Sequence, residues 1–347
     1  MEQHIEYCTT ADGARIACAT YGGDGPQLFV LPDIVGQEHL WKHANGRALL
    51  GELGRGRRLI TYDARGTGSS DRRAPITSLR DFVSDIAAVV DHLRLERVAL
   101  FSLGGIASPL ALLYAWQYPT RVSAVAVWGA LLRKKRVEDA HIETFSRMWA
   151  FNARAMATVY FPSGPLDVQR WFADGLAKAE FEGTVRKVME QEWDLTDLLP
   201  EITTPVLVLQ RSRVGSVDPR LGRETARLLT NARLLMLEGD ADHPIHDCQQ
   251  YVEALDGFLQ EHTSGTSTAG AVPAGDQGGA KLTARETEVL GLLAGGQTAR
   301  EIATVLSISL STAQRHITNI YAKIGARGRV DAVTYALTRG LARRRDG

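Results

Sequence analysis

Short apolar runs rich in β-branched residues recur along the first 240 positions, alternating with stretches whose apolar residues fall every three or four places. Residues 14–21 (ARIACATY) and 27–32 (QLFVLP) read as strands separated by the turn Gly22-Gly23-Asp24-Gly25-Pro26. Residues 58–63 and 122–129 repeat the strand pattern, as do 205–210 and 232–237. Between them, Leu79, Phe82, Val83, Ile86, Val89, Val90 and Leu93 keep a helical period, and a further helix is predicted around 249–260. Strands alternating with helices predict a parallel sheet covered on both faces. From about 133 to 200 the alternation lapses into helical sequence holding Phe145, Trp149, Phe151, Tyr160, Phe161, Trp171, Phe172 and Trp193. That insert suits a lid over the C-terminal edge of the sheet, where open α/β folds bind ligands.

The stretch from Val98 to Ala111 is the centre of this pattern. An apolar run stops at Ser102, Gly104-Gly105 follow, and helix-forming residues continue to Pro119. It predicts a buried strand turning sharply into a helix, with Ser102 strained at the corner beside the N–H groups of the new helix. Residues 263–280 (TSGTSTAGAVPAGDQGGA) lack any period and read as a flexible linker, with a root-mean-square reach of roughly 25 Å. Three domain segments follow: 1–262, the linker 263–280, and 281–347.

Composition adds one asymmetry. The 347 residues balance 40 Lys/Arg against 40 Asp/Glu, yet from Lys281 onward there are 11 against 5, a net of +6. The first 280 residues therefore carry −6, and a basic tail on an acidic body points to nucleic acid for the tail. The longest apolar run, 122–132, is too short to span a bilayer, and the start lacks the basic and apolar regions of a signal peptide. A cytoplasmic location and no membrane partner are expected. Cys8, Cys18 and Cys248 match neither a disulfide framework nor a metal cluster, so no metal or cofactor is expected.

Residues 14–262 resemble an α/β-hydrolase domain. Asp63-Ala64-Arg65-Gly66-Thr67-Gly68-Ser69-Ser70 resembles the family's D-x-R-G-x-G-x-S turn, Ser102-Leu103-Gly104-Gly105 the end of G-x-S-x-G-G, and Gly239-Asp240-Ala241-Asp242-His243 the late G-x-D-H segment. The resemblance implies Ser102 as nucleophile and His243 as base. Three parts depart from the pattern. Leu100 stands where the first glycine of the elbow falls, Pro32-Asp33 replaces H-G or P-G beside the oxyanion site, and Val214 or Gly215 takes the place of the acid. Asp218 is the remaining candidate acid, against its reading as an N-cap before Pro219. Without an acid, His243 loses tautomer control typically worth about four orders of magnitude in rate. The damaged triad favours binding over turnover, with Asp33, Ile34, Trp41, Ser102, Leu103, Trp128, Trp149 and His243 as the expected pocket residues.

In the tail, Thr283-Ala284-Arg285-Glu286 and Thr298-Ala299-Arg300-Glu301 are capping boxes that open two helices. A third is predicted from about Leu310 to Lys323, with a buried stripe of Ala313, Ile317, Ile320 and Ile324, and a fourth over about 330–339. Two short helices across a tight turn form helix-turn-helix geometry. The segment resembles the LuxR-family DNA-binding domain. That resemblance implies that Gln314, Arg315 and Thr318 face base edges, while Thr312, His316, Asn319 and Lys323 meet phosphates or hold the helix. It also implies Val333, Tyr335, Ala336 and Leu337 as candidate homodimer contacts. The expectation for the whole chain is a transcription regulator controlled by a small apolar ligand in a degenerate hydrolase pocket and acting on double-stranded DNA. The rival expectation is an active esterase or lactonase that turns over its own inducer.

Overall fold

Strand β5 (Val98–Ser102) is buried at every position. Its even residues Val98 and Leu100 enter one apolar layer, while Ala99 and Phe101 enter the other, as a period of two requires of a strand covered on both sides. The computed structural model describes residues 3–23, 25–31, 35–178, 184–245, 248–263, 282–294, 297, 299–308, 310–324, 332 and 335–336. Around β5 lie β1 (His4–Thr9), β2 (Arg15–Gly22), β3 (Gln27–Leu31), β4 (Arg58–Tyr62) and β6 (Val122–Trp128). A two-residue ribbon, β7 (Arg133–Lys134) with β8 (Trp193–Asp194), stands apart; β9 (Val206–Arg211) and β10 (Ala232–Leu237) complete the main sheet. Its order is β1-β2-β4-β3-β5-β6-β9-β10. The two pairings of β2 are antiparallel and the others parallel.

Helices α1 (Gln37–Lys42), α2 (Ala44–Leu53), α3 (Leu79–His92) and α4 (Ala107–Gln117) come from the first half. The period read at 79–93 is α3, opened by a capping box in which Ser78 and Asp81 satisfy each other's backbone N–H groups. The insert holds α5 (Asp139–Arg147), α6 (Trp149–Tyr160), α7 (Leu166–Lys178) and α8 (Arg186–Glu190). Its two stems are stitched by Lys134, whose Nζ donates to the carbonyls of Met189 at 3.0 Å and Gln191 at 2.9 Å. Helices α9 (Pro219–Leu228) and α10 (Gln249–Thr263) close the body. Phe82, Val83 and Ile86 of α3 cover one face of the sheet; Leu49 and Leu50 of α2 and Tyr251, Leu255 and Phe258 of α10 cover the other.

The chain divides into two compact units, residues 1–269 and 270–347. The linker expected at 263–280 lies outside the described residues except for Thr263, which ends α10. The second unit contains α11 (Ala284–Ala294), α12 (Ala299–Val305) and α13 (Leu310–Ile324) around Val289, Leu290, Leu293, Ile302, Ala313 and Ile320. Its α12–α13 turn places Ser307 at φ 52°, and the Ile308 N–H closes it onto the Ala303 carbonyl at 3.0 Å. Among the described residues, no helix is long and apolar enough to cross a membrane.

Candidate functional site

The corner after β5 differs from the expectation in one decisive respect. Ser102 is the last residue of the strand, paired in register with Leu31 and Val127, and the Leu103 N–H continues the ladder to the Leu31 carbonyl at 2.9 Å. The turn into α4 is made by Leu103, Gly104, Gly105 and Ile106, and no residue from 102 to 106 has a positive φ. Ser102 is therefore not a strained corner residue. Its side chain is fully buried, and its Oγ accepts the Trp128 N–H at 3.1 Å. The four residues of the corner carry no hydroxyl, thiol or carboxylate. Gly105 leaves no room for a side chain, because a Cβ there would stand 2.7 Å from Cγ2 of Val217.

His243 is 2 % exposed, with ring centroids of Phe172, Phe161 and Trp171 at 5.9, 6.1 and 6.3 Å. Burial lowers its pKa to about 3, so the ring is neutral. Its Nδ1 accepts the Ile245 N–H at 3.1 Å, which places the remaining ring proton on Nε2. A catalytic base needs the opposite tautomer, with Nδ1–H given to a carboxylate and Nε2 free to take a proton. His243 is held the wrong way round for that role. Its loop is fixed at Asp242, whose N–H donates to the Tyr160 carbonyl at 2.7 Å and whose own carbonyl accepts the Trp128 indole N–H.

The candidate acid also lies elsewhere. Asp218 caps α9, accepting the Arg220 N–H at 2.9 Å, and pairs with the Arg220 guanidinium at 2.7 Å on the surface. These Arg220 contacts hold its carboxyl below the usual range. Residues 212–217 contain no carboxylate. Among the described residues no group of His, Cys, Asp and Glu could hold a metal ion.

Of the expected pocket residues, Ser102, Leu103, Trp128 and His243 are all buried, with Trp128 linking the end of β5 to the His243 loop. Half-buried Trp41 and Trp149 pack against the apolar layer that holds Leu103 and Trp128; Trp41 stacks on Tyr21 at 5.1 Å, and Trp149 packs on Phe145 at 5.8 Å. Asp33 and Ile34 lie outside the described residues. Buried Asp63 accepts the N–H groups of Gln37 at 2.7 Å and Ser69 at 2.9 Å. The sequence named Phe161, Trp171 and Phe172 among the aromatics of the insert but not as the shell of His243, and gave no signal for His39, whose ring stacks on Trp171 at 5.4 Å.

In the tail, the first capping box forms: the Thr283 N–H donates to Glu286 at 2.8 Å, and the Glu286 N–H to the Thr283 hydroxyl at 3.2 Å. Thr298 of the second box lies outside the described residues. Lys323 turns inward, its Nζ 2.7 Å from Oε2 of buried Glu286. That pairing, with the Thr283 N–H, lowers the Glu286 pKa to about 2. Lys323 thus ties α13 to the start of α11. Thr312 and His316 are half-buried on α13. The side chains of Gln314, Arg315, Thr318 and Asn319 are outside the described residues, as are Val333 and Leu337. Ala336 is fully buried in the core of the unit, so it is no surface for a partner.

Comparison with known proteins accounts for both units. Residues 36–255 match the family described as "Alpha/beta hydrolase family", and residues 280–336 match "Bacterial regulatory proteins, luxR family". The chain belongs to the alpha/beta hydrolase family. It carries a LuxR-type helix-turn-helix unit behind that domain. A non-heme haloperoxidase of Rhodococcus erythropolis is 26 % identical over 262 residues, 68 % of this chain and 92 % of that protein. The transcriptional regulatory protein LiaR of Bacillus subtilis is 46 % identical over 55 residues, 16 % of this chain and 26 % of LiaR. Among solved structures, an enol-lactonase from Burkholderia xenovorans aligns with a TM-score of 0.64 at 20 % identity, covering 74 % of this chain and 100 % of its own. An esterase from Rhodococcus aligns at 0.65 and 19 %, covering 74 % and 99 %. At these identities the likeness is one of fold.

Proposed function

We propose that this protein is a transcription regulator whose hydrolase-like body binds a small, largely apolar molecule without turning it over, and thereby controls how the tail binds promoter DNA. The observation that carries the reading is the corner at Leu103–Ile106, which has no nucleophile, joined in one chain to a LuxR-type unit. Enzymes named haloperoxidase, esterase and lactonase among its relatives supply the rival reading of a hydrolase that clears its inducer. The tautomer of His243 and the capping role of Asp218 speak against that rival. The mainly aromatic surroundings of His243 favour an apolar ligand carrying one or two oxygens, and the chain acts on DNA as a pair.

The test is linkage. Compounds of that class that raise the melting temperature of the full chain must also change its affinity for an operator recovered by selection from random DNA. By reciprocity the operator must change compound affinity by the same factor. A compound that stabilises the body but leaves operator affinity unchanged refutes ligand control. Failure to recover any salt-sensitive, specific DNA refutes the regulator.

A further inference from the structure

A cleft of about 280 Å³ opens where the insert meets the rest of the body, between α1, α7 and the turn at residues 68–72. That is the small end of the range for ligand sites. Lys42 enters it from α1, Arg72 from the turn and Lys178 from the last turn of α7. Against these three cations stands one carboxylate, Glu38. The rest of the lining is His39, Ser69 and three glycines, with no aliphatic or carbocyclic side chain. With His39 neutral the cleft carries +2, on a body whose first 280 residues carry −6.

Its walls are fastened to each other. The His39 Nε2–H donates to the Trp171 carbonyl at 2.9 Å, and the Trp171 indole N–H donates back to the His39 carbonyl at 3.2 Å. Gly175 permits this approach, since a Cβ there would stand 2.7 Å from Cδ2 of His39. Burial first, then the Lys178 and Lys42 charges, hold the His39 pKa below its usual value, against the Trp171 carbonyl and Asp174. One ring thus feels ammonium groups from both α1 and α7. The polar groups of the lining are only lightly engaged. Lys42 pairs with Glu38 at 2.5 Å on the exposed surface, a weak tie. Arg72 reaches the Gly68 carbonyl at 3.3 Å. Among the described residues, Lys178 and the Ser69 hydroxyl have no hydrogen-bond or ion-pair partner. Like charges gathered from three elements repel one another until an anion lies between them.

We propose that this cleft binds the phosphoryl group of a small phosphate monoester, held by Lys42, Arg72 and Lys178 with the Ser69 hydroxyl as a further donor. A phosphoryl group offers three terminal oxygens, one to each element, whereas a carboxylate offers two in one plane. Its dianion cancels the excess charge of the lining. The site is distinct from that of the apolar molecule, for it offers no apolar surface. Bridging Arg72 and Lys178, the anion ties α7 to the body beside Trp171, whose ring lies 6.3 Å from that of His243.

The test is calorimetry of the full chain with phenyl phosphate, slightly above neutral pH and at constant ionic strength. One molecule should bind per chain, saturably, and inorganic phosphate should compete. Phthalate, an aromatic dicarboxylate of the same charge, should bind at least tenfold more weakly. Arg72→Gln and Lys178→Gln should each weaken phenyl phosphate binding by about tenfold or more, with the melting temperature of the anion-free chain unchanged. If Arg72→Gln proves less stable, Lys178→Gln, exposed at the end of α7, decides alone. Glu38→Gln should tighten binding, and Lys135→Gln, an exposed lysine elsewhere on the body, should leave it as it was. Absence of saturable binding, phthalate binding as tightly, a Lys178→Gln chain that binds like wild type, a Glu38→Gln chain that binds no tighter, or an equal loss in Lys135→Gln each overturns the proposal. None of these results touches the regulator reading, which rests on other residues and is tested with apolar compounds and DNA.

Discussion

A neutral imidazole buried among three aromatic rings makes His243 a pH-sensitive element of the body's stability. Its folded pKa of about 3 lies below the value of 6.5 for an unperturbed ring. Its contribution is therefore complete above pH 6.5 and is lost as pH falls towards 3, because the unfolded chain takes up a proton that the folded chain refuses. The full difference is on the order of 4–5 kcal/mol, of which about 2 kcal/mol falls between pH 7 and pH 5. Wild type should lose about that much more stability than His243→Gln over this interval in denaturant unfolding; parallel profiles would contradict the burial. Asp85, with its folded pKa raised by burial to about 6, acts in the opposite sense. Being present in both proteins, it cancels in the comparison. At the same scale, the buried strand that stops at Ser102 was legible in the sequence. The backbone state of Ser102 was not, because serine ends a strand as readily as it turns a corner, and the Leu103-to-Leu31 hydrogen bond that decides between them leaves no mark in composition.

Elements with a strong period were legible: α3, β5, β6 and α13 lie where the apolar spacing puts them. Strand β1 announces nothing, since of its six residues Cys8 alone is buried and no alternation develops. The corner is an element-scale feature with its own test. Gly105→Ala places a Cβ 2.7 Å from Val217 and 3.3 Å from the Gly129 carbonyl, and should destabilise the body by about 1–3 kcal/mol through overpacking. An unchanged melting temperature would show that Val217 yields freely to a methyl group at the corner. In the tail, the partner of Lys323 separates two roles that the resemblance left together. With its ammonium on Glu286, Lys323→Met should lower the melting temperature of the tail and leave the salt dependence of DNA binding unchanged. A slope reduced by about one would place the side chain on a phosphate.

For the whole molecule, the division into an acidic hydrolase-like body and a basic helix-turn-helix tail could be read from residues 63–70, 239–243 and 283–324, and both family matches fall on those stretches. The departures from the family's catalytic pattern were legible only in part. Val214 and Gly215 stand in the acid's place in the sequence, whereas the end of β5 at Ser102 emerges only in the structure. Specificity belongs to the tail: Arg315→Ala and Gln314→Ala should each weaken operator binding by about 1–3 kcal/mol per lost base contact and relax the preferred sequence. Equal affinity in both variants would refute the docking of α13 in the major groove. Intact-mass spectrometry of the full chain after exposure to an activated fluorophosphonate separates a hydrolase fold without a working nucleophile from an active serine hydrolase. An unmodified mass is expected at concentrations that saturate a working serine esterase. A stoichiometric adduct on Ser102, abolished in Ser102→Ala, would contradict that expectation.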